Sequence, residues 1–92
     1  MRSLKEVRRD LDAVDGGIAV LLRRRMELSD EIAQAKRESG TAIVDRGREG
    51  EVRQRVASVA GPGCAADVLA VYSAIFDSSK ARQRRILGEG EG

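Results

Sequence analysis

Ninety-two residues with 1 Tyr, 1 Phe and no Trp suffice for one small domain, and any core it builds is aliphatic and thin. The formal charge of +2 arises from 17 basic and 15 acidic residues that interleave, a balance that does not by itself imply nucleic acid. Histidine is absent, which excludes Ser-His and Cys-His nucleophile pairs and His-based metal centres and leaves Arg, Lys, carboxylates, Ser, Gln and backbone for any chemistry.

Ser3 is a candidate N-cap for a long first helix running to about Arg37. Leu4, Val7, Leu11, Val14, Ile18 and Leu21, then Leu28, Ile32 and Ala35, recur in steps of three and four, a seam held over more than four heptads. Gly16-Gly17 is its weak point, at roughly 1 kcal/mol per Gly relative to Ala. The apolar phase passes unshifted through both glycines, so a single helix is expected. Gly40 is placed to end it in a left-handed turn. Thr41-Ala42-Ile43-Val44 reads as an extended connector. Asp45 then N-caps a second helix of about fifteen residues, with Val52, Val56 and Val59 as a narrow stripe. Gly61-Pro62-Gly63 stops it. A third helix is expected from near Ala65 to about Leu87, with Val68, Tyr72, Ile75, Ser79, Gln83 and Ile86 on one face. The tail from Gly88 to Gly92 has nothing to bury and is expected to be disordered.

The fold expected is all-α: three helices, the first much the longest, in one domain over residues 1–87. A chain of this size buries only about 60% of its unfolded surface and is marginal alone. Two short helices cannot cover a first helix of roughly 50 Å, so an intertwined homodimer is expected. Cys64 is alone, and no signal peptide or long apolar run is evident; the expectation is a reducing cytoplasm without membrane contact.

Arg25 interrupts the seam where an aliphatic residue is due, a costly placement unless an anion meets it. Lys36 lies eleven residues on, about 16 Å along nearly the same face. Arg8 lies seventeen residues back, roughly 25 Å away and about 100° round, so it cannot reach the same small ligand from the same helix. The second helix opens Asp45-Arg46-Gly47-Arg48-Glu49, offering first-turn N–H groups beside Arg48. The third helix turns polar at Ser79 and Gln83. Together these describe a cation-rich pocket for a small dianion that also carries a hydroxyl.

On these residues the sequence resembles the small all-helical (AroQ-type) chorismate mutases, from Leu4 to Leu87. The carrying motifs are Arg8 in VRRDLDAVD, Arg25 and Lys36 in LLRRRMELSDEIAQAK, DRGREGEV from Asp45, and SSKARQ with Ser79 and Gln83. Gly16-Gly17 replaces good helix formers, and Gly47 stands where the family often has an acidic residue. The resemblance implies the rearrangement of chorismate to prephenate, a one-step pericyclic shift that needs no nucleophile, metal or cofactor, in aromatic amino acid biosynthesis. By similarity, Lys36 and Gln83 would donate to the ether oxygen, where negative charge grows. Arg25, Arg48 and a partner chain's Arg8 would serve the two carboxylates, with Ser79 assisting. Glu49 and the backbone N–H of Asp45 would hold the ring hydroxyl.

Two rivals share the implied fold: a mutase for the 4-amino analogue of chorismate, and an isochorismate–pyruvate lyase. Glu49 suits a ring hydroxyl or a ring amine. A remoter reading makes Lys80, Arg82, Arg84 and Arg85 a phosphate-binding patch, but acids flank it and no aromatic is there to stack on bases. A non-catalytic dimer binding an aromatic amino acid would need a second site, for which nothing in the sequence speaks.

Overall fold

The computed structural model describes residues 1–40 and 45–88. The expected connector at 41–44 and most of the expected tail, 89–92, lie outside the described residues. Three α-helices make up the described chain: α1 (Leu4–Ser39), α2 (Arg46–Ala60) and α3 (Ala65–Leu87). No strand occurs among the described residues.

Each helix begins and ends where local chemistry requires it. Ser3 Oγ accepts from the Glu6 N–H at 3.2 Å and donates to Glu6 Oε1 at 3.0 Å, a reciprocal cap on α1. Gly40 closes α1 at φ 71°, a left-handed conformation that only Gly adopts cheaply, and its N–H bonds to the Lys36 carbonyl. Asp45 Oδ1 accepts from the Arg48 N–H at 3.0 Å and starts α2. Gly61, at φ 81°, turns the chain through Pro62-Gly63-Cys64 into α3.

α1 runs through Gly16-Gly17 without a break, and a Cβ at either glycine would meet nothing within 4 Å. Replacing both with Ala is therefore expected to stabilise the protein by about 1 kcal/mol or more, read as a rise in Tm. A clear fall in Tm would mean that another helix crosses close to the bare backbone there.

α3 is the element on which both other helices pack. Among the described residues only Ala33 and Phe76 are buried apolar residues, and no large side chain is fully enclosed. The N-terminal half of α1 packs on no other described element: its seam residues Leu4 to Leu21 range from 45% exposed at Val7 to 70% at Leu21. Val59, near the end of α2, is likewise exposed, so the expected valine stripe covers α3 only through Val52 and Val56. The radius of gyration is 16.5 Å, against about 12 Å for a compact chain of this length. The helix that sets this length is nearly unsupported over half its span.

Where α1 does meet α3, polar ties hold the pair in register. Arg82 grips Asp30 with two N–H groups, Nη2 donating to Oδ2 at 2.8 Å. The Arg37 guanidinium donates to the Ile86 carbonyl near the far end. The hydrogen bond from Arg82 holds the Asp30 carboxyl below the usual range, against the opposing effect of burial. A depressed carboxyl contributes stability above its unfolded value of about 4 and loses it as pH falls through the lower folded value. Asp30→Asn should thus lower Tm modestly at pH 7, and the two melting curves should converge in strong acid. A gap that persists at low pH would show that the ion pair is not its source.

Candidate active site

Between the C-terminal half of α1, the start of α2 and the second half of α3 lies a cavity of about 420 Å³. From α1 come Arg25, Ser29 and Lys36, on one face because steps of four and seven residues return to nearly the same side of a helix. The first turns of α2 supply Asp45, Arg48 and Glu49, and α3 supplies Ser79, Lys80 and Gln83. Leu28, Ile32, Val52 and Phe76 form the apolar part of the wall.

The Arg25 guanidinium donates to Ser79 Oγ at 2.7 Å and lies 5.6 Å from the Phe76 ring centre and 6.0 Å from that of Tyr72. Among the described residues no carboxylate pairs with it, so a half-buried cation is held by a hydroxyl and two aromatic rings. Phe76 carries Arg53 at 5.0 Å as well, and Arg53 is fixed by donation to Ser73 Oγ at 3.2 Å. The ring thus meets two guanidinium groups, a contact that helps hold Arg25 without neutralising it.

One turn further along α3, Gln83 joins two residues of α1. Its Oε1 accepts from Lys36 Nζ at 3.2 Å, and its Nε2 donates to the buried Ser29 Oγ at 2.9 Å. Both ends of the amide are engaged, which orients it: carbonyl toward the ammonium, NH2 toward the hydroxyl. An amide nitrogen has two hydrogens, so this arrangement leaves one for a ligand. On the opposite wall Lys80 Nζ lies 3.2 Å from Glu49 Oε2. Arg48, at the rim, pairs loosely with Glu51 at 3.4 Å.

Seven of the eight residues singled out from the sequence line this one cavity: Arg25, Lys36, Asp45, Arg48, Glu49, Ser79 and Gln83. Arg8 does not. It lies in a separate, open hollow along the start of α1 with Leu4, Lys5, Arg9 and Asp12. Chemically the cavity offers two cations close to a neutral amide and hydroxyls, with carboxylates confined to the α2 side. It suits a small anion whose charge spreads toward the Lys36–Gln83 end.

Comparison with known proteins agrees with this chemistry. The family described as chorismate mutase type II matches residues 7–84. The chain belongs to that family. A 3-dehydroquinate dehydratase of Pyrobaculum aerophilum is 38% identical over 52 residues, which make up 56% of this chain and 17% of that protein. The chain thus spans about one-sixth of that relative's length. No solved structure matches it.

For a chorismate mutase family member, several lining residues escape sequence reasoning. Ser29 follows the seam residue Leu28, yet it lies four residues after Arg25 and seven before Lys36, on the face those two define. That spacing was the available signal. Phe76 follows Ile75 and is the more buried of the two. Lys80 stands beside Ser79 and reads as surface, but it meets Glu49 from another helix. With Arg82 held by Asp30, two of the four cations in the alternative phosphate-binding patch are already paired with carboxylates. Among the described residues no helix is long and apolar enough to cross a membrane, and no group of His, Cys, Asp or Glu is arranged to hold a metal ion.

Proposed function

We propose that this protein is a chorismate mutase that converts chorismate to prephenate by a pericyclic rearrangement. The observation that carries the reading is Arg25, a half-buried cation without a carboxylate partner among the described residues, facing the same cavity as the Lys36–Gln83 pair. In the transition state the ether C–O bond stretches and its oxygen gains negative charge. Lys36 and the second N–H of Gln83 stabilise that oxygen, an interaction stronger in the transition state than in the bound substrate. Arg25, assisted by Ser79, and Arg48 hold the carboxylates and bring the enolpyruvyl arm over the ring, which removes rotational freedom before reaction. Glu49 and the Asp45 backbone N–H take the ring hydroxyl. Disappearance of chorismate, followed spectrophotometrically with purified protein, tests the reading. Absence of turnover at any protein concentration that keeps the chain folded would refute it.

The active form in this reading is a homodimer in which each chain lends Arg8 to its partner's cavity. The accessible surface of one chain supports it: 6919 Å², against about 5,200 Å² for a typical monomer of this mass. The excess is of the size one subunit contributes to an obligate interface. An antiparallel second copy over the bare half of α1 would cover Leu4 to Leu21 and close the axial gap between Arg8 and Arg25. The match to the Pyrobaculum dehydratase covers 17% of that protein and does not support a dehydratase reaction here.

A further inference from the structure

Glu49 of α2 and Lys80 of α3 meet in the cavity wall, Nζ to Oε2 at 3.2 Å, each with a side chain only 22% exposed. Asp45, the other carboxylate lining the cavity, already spends Oδ1 on the Arg48 N–H as the cap of α2. The Glu49–Lys80 pair that would receive the ring substituent carries no net charge of its own. We propose that Lys80 determines specificity: it positions Glu49 as an acceptor for a ring hydroxyl and excludes a ring ammonium from the same place. The inference rests on the mutase reading and deepens it, since Glu49 alone suits either substituent.

The physical reason is charge. A hydroxyl donates its hydrogen to the second oxygen of Glu49 and adds no charge, so the Lys80 ammonium costs it nothing. A protonated amine would bring a second cation beside Lys80, in a pocket that also holds Arg25, Lys36 and Arg48. Like charges set together in a partly desolvated site are strongly unfavourable, and they are an effective means of rejecting a close analogue. Without Lys80, Glu49 would be a full negative charge facing the substituent, and it would prefer the ammonium.

The test compares kcat/KM for chorismate and for its 4-amino analogue in wild-type protein, Lys80→Met and Lys80→Arg. Wild-type protein should favour chorismate. Lys80→Met should shift the ratio about tenfold or more toward the amine, chiefly through KM, whereas Lys80→Arg, which keeps the charge, should restore the preference. A loss of packing would lower both substrates alike and leave the ratio unmoved. That result, with wild-type protein active on chorismate, overturns the role of Lys80 alone. Wild-type protein that turns over only the amine, or neither substrate, overturns the mutase reading and the inference together. Lys80→Gln provides the same neutral test if Lys80→Met does not fold by circular dichroism.

Discussion

Replacing Lys36 with Ala is expected to lower kcat by about 100- to 1,000-fold while KM moves far less. In the proposed reaction the ether oxygen carries little charge in bound chorismate and much more at the transition state, so the ammonium would act mainly on the barrier. A loss of this size corresponds to ~3–4 kcal/mol, typical for one preorganised donor at a site of developing charge. The structure adds a second component. Lys36 also holds the carbonyl end of Gln83, and Ser29 holds the other end, so removal of Lys36 partly frees the amide that shares its task. Ser29→Ala removes only the brace and should cost about tenfold or less. Steady-state kinetics on both variants separates the contributions. A Lys36→Ala protein with raised KM and intact kcat would show that Lys36 binds a carboxylate and does not act on the ether oxygen.

Equal amounts of Arg8→Ala and Lys36→Ala protein, each nearly inactive alone, are expected to recover ~25% of wild-type activity when unfolded and refolded together. In the proposed dimer Arg8 serves the partner's cavity and Lys36 its own. A mixed dimer then has one cavity with both defects and one with neither. Random pairing makes about half the dimers mixed, and half of their cavities are intact. If Arg8 acted within its own chain, every cavity of a mixed dimer would carry one lesion. Activity that stays at the level of the separate variants, with mixed dimers confirmed by native mass spectrometry, would sink the shared-site arrangement. Arg8 and Arg25 stand seventeen residues apart on one unbroken helix, about 25 Å along its axis, too far to meet one small ligand from the same chain.

Helix ends were legible in the sequence because capping is local. Ser3, Gly40, Asp45 and Gly61 each act within four residues of the turn they make, and all four do so in the structure. Arg25 with Ser79 and Lys36 with Gln83 were half legible. Polar residues that interrupt apolar faces have to meet something, and in a three-helix chain they meet each other. Lys80 with Glu49 was not legible, because their contact depends on how α2 and α3 are rotated about their axes, which neither helix's own spacing specifies. Phe76 was missed for a related reason: it points about 100° round the helix from Ile75, and the rotation of α3 against α1 and α2 buries Phe76 the more deeply of the two. Leu4 to Leu21 were legible as an apolar seam, and among the described residues they stay 45% to 70% exposed.

That bare surface has a thermodynamic consequence. If the face that completes the fold belongs to a second molecule, folding becomes a bimolecular equilibrium and obeys mass action. Each tenfold dilution then subtracts about 1.4 kcal/mol from the free energy holding the pair together. A melting temperature for this chain has meaning only with its concentration beside it. Dilution would also remove function and structure in one step, because the lent arginine and the covered seam leave together.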